Sequence, residues 1–202
     1  MLKYRLLLTI LCLGGTLMST PSEAKTFHEA RTVVRMETSK GDLIIELFDQ
    51  EAPKTVANFI GYIEDGFYEG TIFHRIIQSF MIQGGGFESG LKQKATRDPI
   101  PNEAAATLSN VRGSIAMART SDINSATAQF FINTVNNPSL DHKNKTQQGY
   151  GYAVFGKVIE GLPVLDAIAA VKTGSVGYFQ DVPKDDVVIK KVSIIKAGEA
   201  KK

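Results

Sequence analysis

The stretch Phe73-His74-Arg75-Ile76-Ile77, followed after two residues by Phe80-Met81-Ile82-Gln83-Gly84-Gly85, decides how this chain is read. Both runs are short, apolar and β-rich, and turn-forming residues bound them, which predicts two strands rather than one helix. On an extended strand Phe73, Arg75 and Ile77 share one face, opposite Ile72, His74 and Ile76. Arg75 therefore sits among apolar neighbours, where a guanidinium needs a partner or a ligand. A structural ion pair at a sheet rim is the alternative to a functional role. Gly84-Gly85-Gly86 lacks the lysine and the following helix of a phosphate loop, so it reads as a turn where backbones approach closely.

Working outward, Thr32 to Glu37 and Asp42 to Phe48 form a hairpin about Ser39-Lys40-Gly41. Pro53 suits a first helical position, and Val56, Phe59, Ile60 and Ile63 follow at i, i+3, i+4 and i+7, predicting a helix over 53–65. Gly66 supplies its stop. Further strands are predicted at Ile72 to Ile77, Met81 to Gln83, Ser114 to Ala118, Phe130 to Thr134, Val154 to Val158 and Val187 to Ile195. Leu162 to Val171 is the second helix. Two helices among eight β-runs indicate a mostly β domain, closed or sandwiched. Residues 85–113 and 135–150 are long polar loops, and loops of that length in a compact domain are often functional.

The chain has 202 residues, 43% of them hydrophobic and 22% charged, which excludes a disordered tail or a coiled coil. The formal charge is only +2 and the charges are interspersed, so no basic block marks a nucleic-acid surface. Residues 1–24 read as a cleavable export signal: Lys3 and Arg5 lead, Leu6 to Leu13 form an apolar run, and Ser22-Glu23-Ala24 is a small-x-small cleavage site. The apolar run is too short for a spanning helix, so stable membrane insertion is not expected. Residues 25–202 then form one domain. The single cysteine, Cys12, leaves with the signal, and stability must come from the packed core.

Common catalytic signatures are missing. There is no nucleophile elbow and no paired His or Cys at metal-ligand spacing, and His28, His74 and His142 lie far apart. Neither a metal nor another cofactor is expected.

The motifs themselves resemble a known family. Phe73 to Gly85, with Gly113-Ser114-Ile115-Ala116-Met117-Ala118-Arg119, Ala128-Gln129-Phe130-Phe131-Ile132-Asn133 and Val154-Phe155-Gly156-Lys157-Val158, is similar in order and spacing to cyclophilin-type peptidyl-prolyl isomerases, over about residues 31 to 197. The signal segment and Gly151-Tyr152-Ala153-Val154-Phe155-Gly156 are most similar to the bacterial periplasmic members. The resemblance implies a closed eight-stranded antiparallel barrel capped by two α-helices, with a peptide groove on its outer face. It implies a catalytic set of Arg75, Gln83, Phe80 and Phe131. Substrate-binding roles fall by the same resemblance on Met81, Ala118, Arg119, Gln129, Leu140 and Tyr152. Ser139 stands where many members carry an aromatic residue and Tyr152 where others carry histidine, and the loop between Asp141 and Tyr152 is longer than in compact eukaryotic forms.

The implied function is acceleration of X-Pro rotation in exported proteins within the periplasm. Its partners are unfolded or flexible proline-containing polypeptides, and the enzyme is a monomer. A non-catalytic proline-peptide binding module or holdase on the same scaffold is the competing expectation. A hydrolase built on His74 is a third, disfavoured because no strained serine motif accompanies it.

Overall fold

The computed structural model describes residues 31–195; the expected export signal at 1–24, Cys12 and His28 lie outside the described residues. In chain order the strands are β1 (Val33–Thr38), β2 (Gly41–Leu47), β3 (Arg75–Ile77), β4 (Met81–Gly84), β5 (Phe87–Glu88), β6 (Lys92–Gln93), β7 (Ser114–Met117), β8 (Phe130–Asn133), β9 (Val154–Glu160), β10 (Thr173–Val176), β11 (Phe179–Pro183) and β12 (Ile189–Ile195). The helices are α1 (Pro53–Glu64) and α2 (Leu162–Ala169).

Each of the eight predicted β-runs contributes a strand to one antiparallel sheet of order β12-β1-β2-β9-β7-β8-β4-β3. The sheet curls, but it is open rather than the closed barrel implied by the family resemblance. Its edge strands β12 and β3 share no ladder. The seam is stitched at their N-terminal ends: Phe73 N donates to Val187 O at 2.9 Å and Ile189 N to Thr71 O at 2.7 Å. Regular pairing cannot extend further because β3 has only three residues, half the predicted run. The chain leaves strand geometry at Phe73 and His74. That break resets the alternation, so Phe73 packs inward with Ile76, while Ile77 packs outward. The expected sharing of one face by Phe73 and Arg75 is thereby corrected.

The concave side of the sheet holds the core. Val34, Leu43, Ile45, Ile82, Ile115 and Ile132 meet Phe59 of α1 and Leu165 and Ile168 of α2, all of them buried. Phe130 stands edge-on to Phe59, Tyr68 and Phe73, an arrangement that ring quadrupoles favour. The tight glycine turn has its reason here. Gly85 has φ +79°, and a Cβ on it would lie 2.7 Å from the Phe130 ring. The backbone passes where no side chain fits.

α1 starts at Pro53 as predicted, yet its N-cap residue, Ala52, offers no side-chain acceptor. Glu103 supplies one from the long loop: its carboxylate accepts from Lys54 N at 3.1 Å and from Thr55 N and Oγ1 at 2.7 Å. A carboxylate on those free amides also meets the positive end of the helix dipole. The loop is thus anchored to α1, and Lys94 Nζ (to Phe67 O, 2.6 Å) and the Arg97 guanidinium (to Asp65) secure it further.

Candidate active site

Strand alternation sends a second set of side chains outward. Along β4, Ile82 faces the core while Met81 faces out; along β8, Ile132 faces in and Phe131 out; on β7, Ile115 faces in and Ala116 out. Register then aligns them. Arg75 is opposite Gln83, Gln83 opposite Phe131, and Phe131 opposite Ala116. One line across four strands therefore carries a cation, an amide, an aromatic ring and a methyl group.

Above this line lies a recess of about 120 Å³, equivalent to a few water molecules. It is lined by Arg75, Phe80, Met81, Gln83, Ala118, Arg119, Phe131, Leu140 and Tyr152. Nine of the ten residues singled out from the sequence thus converge on one hollow. The tenth, Gln129, does not line it. Its side chain stands behind Gln83, whose Nε2 donates to Gln129 Oε1 at 3.0 Å, and it opens onto the neighbouring groove.

The guanidinium of Arg75 stays accessible, its side chain 42% exposed. Nη1 contacts Gln83 Oε1 at 3.5 Å and Nε faces Asp181 Oδ2 at 3.8 Å. Both contacts are long, so the charge is oriented without being neutralised. An exposed ion pair at that separation is worth little. On the opposite wall the Phe131 and Tyr152 rings stand edge to face at 5.5 Å, and Arg119 stacks over Tyr152 at 4.7 Å. Arg119 Nε also donates to Gly151 O at 3.1 Å. Ala118 N donates to Gln129 O at 2.9 Å, which holds the strand end beside the recess.

The profile of the family described as cyclophilin type peptidyl-prolyl cis-trans isomerase/CLD matches residues 33–194, nearly all of the described chain. The chain belongs to this family. It is 54% identical over 162 residues to peptidyl-prolyl cis-trans isomerase B of Escherichia coli (strain K12), covering 80% of this chain and 99% of that protein. It is 48% identical to peptidyl-prolyl cis-trans isomerase A of Dickeya dadantii (strain 3937), covering 96% of this chain and all of that protein. Among solved structures it is similar to a Cryptosporidium parvum cyclophilin type isomerase, with a TM-score of 0.69 and 29% identity over 83% of this chain and 99% of the other. A second structure of that parasite protein, obtained in the presence of the dipeptide Ala-Pro, matches with a TM-score of 0.68.

Sequence reasoning missed the residues that hold this cyclophilin recess in shape. Asn133 lies at the end of β8 with its amide buried, donating to Ser114 Oγ at 2.9 Å and accepting from Asn137 Nδ2 at 2.7 Å. Asn137 also donates to Phe80 O at 2.8 Å. Asn110 N donates to Asp141 Oδ1 at 2.7 Å. These bonds fix the turn bearing Phe80 and the short 3-10 segment Pro138–Leu140 against the sheet. The signal was an excess of asparagines around the third motif, but nothing in spacing says which of them face inward. Of the three departures from the family pattern, two are single residues: Tyr152 walls the recess, whereas Ser139 lines a separate depression beside it.

His74 is also away from the recess. Its ring packs on Phe87 at 4.6 Å and is buried; burial first, then the adjacent Arg75 charge, lowers its pKa to about 4. It is neutral at pH 7. Among the described residues no three His, Cys, Asp or Glu side chains converge as metal ligands would, and no helix is long and apolar enough to cross a membrane.

Proposed function

We propose that this enzyme isomerises X-Pro bonds in exported polypeptides, with Arg75 stabilising the twisted amide and the apolar recess clamping the proline ring. The observation that carries the reading is the placement of an accessible guanidinium at the edge of a small hollow whose other walls include Phe80, Met81, Phe131 and Leu140.

Rotation about a peptide bond costs ~18–20 kcal/mol because resonance must be lost. No covalent bond is made or cut. At the twisted geometry the nitrogen lone pair is no longer delocalised, so the nitrogen becomes a better acceptor than in either planar isomer. A donor fixed beside it favours the crossing point over both ground states. In this reading Phe80, Met81, Phe131 and Leu140 grip the ring. Arg75 donates to the proline carbonyl and approaches the nitrogen as its lone pair localises. Gln83, held in turn by Gln129, aims the guanidinium. Ala118 and the Arg119 backbone support the peptide before the proline. The remaining chain is free to swing.

The export reading rests on residues 1–24, with residues 25–202 as a single periplasmic domain. The match to the Dickeya protein over 96% of this chain extends into most of that leader, which supports a counterpart there.

NMR exchange spectroscopy on an Ala-Pro peptide tests the mechanism, because it reports isomerisation and binding together. Arg75→Ala is expected to bind peptide while losing nearly all exchange, and Arg75→Lys to restore little, since lysine lacks the planar fork. Full exchange in Arg75→Ala would overturn the proposed role of the arginine. Binding without exchange in the wild type would turn the reading to a holdase.

A further inference from the structure

We propose that the groove between Phe87 and the β10–β11 hairpin is a second substrate subsite, which takes an aromatic side chain on the residue following proline. The proposal deepens the reading of Arg75 above and rests on it. Neither β10 nor β11 was predicted, so this wall of the molecule came only with the tertiary structure.

Three observations converge on the groove. The first is exposure: Val176, Tyr178 and Phe179 at the hairpin tip are 54%, 103% and 39% exposed, a concentration of uncovered apolar surface on one turn. Tyr178 and Phe179 border a groove of about 430 Å³ whose floor is His74, Phe87 and Gln129. The second is an unfinished aromatic series. His74 meets Phe87 at 4.6 Å, and Phe87 meets Phe179 nearly edge-on at 5.5 Å, after which the series opens to solvent. A further ring is the occupant such a surface fits best, because aromatic edges and faces recognise one another beyond simple area burial. The third is continuity. Arg75 lines both the recess and this groove. If its guanidinium holds the proline carbonyl, the next residue of the peptide starts beside Arg75 and has the groove directly in front of it.

The charges agree. Arg75 and Asp181 face each other at 3.8 Å with both side chains accessible, so the groove presents one charge of each sign, and the buried His74 adds none at neutral pH. An uncharged ring is admitted more readily than an ammonium or a carboxylate. The hairpin itself is held in place: Val176 pairs with Phe179 across the two-residue turn Gly177-Tyr178, Thr173 pairs with Pro183, and Lys184 N donates to Lys172 O at 2.9 Å.

The test is a ratio. Exchange rates would be measured for the blocked peptides Ala-Ala-Pro-Phe and Ala-Ala-Pro-Gly, with the wild type and with the double variant Tyr178→Ala/Phe179→Ala. The wild type is expected to favour the phenylalanine peptide in kcat/KM by about three- to tenfold, and the double variant to bring the ratio close to one. Because both peptides meet the same enzyme sample, the ratio does not depend on how much of the variant is folded. A wild-type ratio near one, or a ratio that the double variant leaves unchanged, overturns the proposal. So does self-association that the double variant abolishes while the ratio persists, which would assign the face to a second copy of the chain. The Arg75→Ala experiment fails separately: full exchange there removes the arginine's role, whereas the peptide ratio reports on the groove alone.

Discussion

The two faces of the curled sheet are built from the same strands and behave in opposite ways. Inward, Phe130, Ile132, Ile82 and Ile115 are fully buried beneath α1 and α2, and aromatic rings fill the space between them. Outward, Phe131, Met81 and Ala116 alternate with those residues, but neither α1 nor α2 covers them and a hollow of about 120 Å³ remains. Phe130 and Phe131 are adjacent in sequence and almost equally hidden, at 0% and 4% exposure. One ring completes a core and its neighbour walls an unfilled recess. Burial therefore does not distinguish structure from function here; what distinguishes them is whether the space beyond the side chain is occupied.

Substitutions can break or sharpen that contrast. The largest effect is expected from Phe130→Ala, which should cost about 3–5 kcal/mol in a denaturant titration because several rings lose their packing partner. Phe131→Ala should cost less stability and lower kcat/KM more, and the opposite ranking would dissolve the distinction between the faces. Arg75→Ala, on the recess side, is expected to reduce turnover by about 10²–10³-fold, the scale for loss of one preorganised donor, with the melting temperature nearly unchanged. Activity should stay flat from about pH 6 to 8, because a guanidinium does not titrate there and His74 is already neutral.

Stability should respond to pH through His74, at the seam of the sheet. Its pKa is lowered to about 4 in the folded chain, against about 6.5 when unfolded, so the unfolded state takes up the proton first. This contribution is therefore intact above about pH 6.5 and lost as pH falls toward 4, by about 3 kcal/mol in total. Unfolding midpoints of wild type and His74→Gln across that window measure it; parallel curves would show that other groups carry the acid sensitivity. The smallest effect is expected from Glu103→Ala, about 1 kcal/mol from loss of the carboxylate on the α1 amides, read as a lowered melting temperature.

Much of this was legible locally. A period of two at Met81 to Gln83 and at Phe130 to Asn133 specifies strands with two apolar faces, and Pro53 with its i, i+3, i+4 pattern specifies a helix, since both signals come from neighbouring residues. The hairpin β10–β11 escaped because Gly174 and Gly177 interrupt it, and glycine is depleted in strands. Gly177-Tyr178 as a two-residue turn was the available clue. The break at Phe73 and His74 was invisible too, because an unbroken β-rich run gives no sign that its ladder starts late. The converging site residues were recognised through the family motifs; taken singly, each had a plausible structural explanation.

Covalent order, then, carries the eight strands of the main sheet and the two helices, because these depend on side-chain chemistry and short-range periodicity, and it carries the recess residues only through motifs shared with the family. Contacts across long stretches of chain decide the rest. An open seam instead of a closed barrel, a glutamate 48 residues away capping Thr55, and a hairpin that builds a second groove beside Arg75 all follow from how distant segments meet. No local pattern encodes those meetings, since each depends on which buried polar groups find partners only after the sheet has curled.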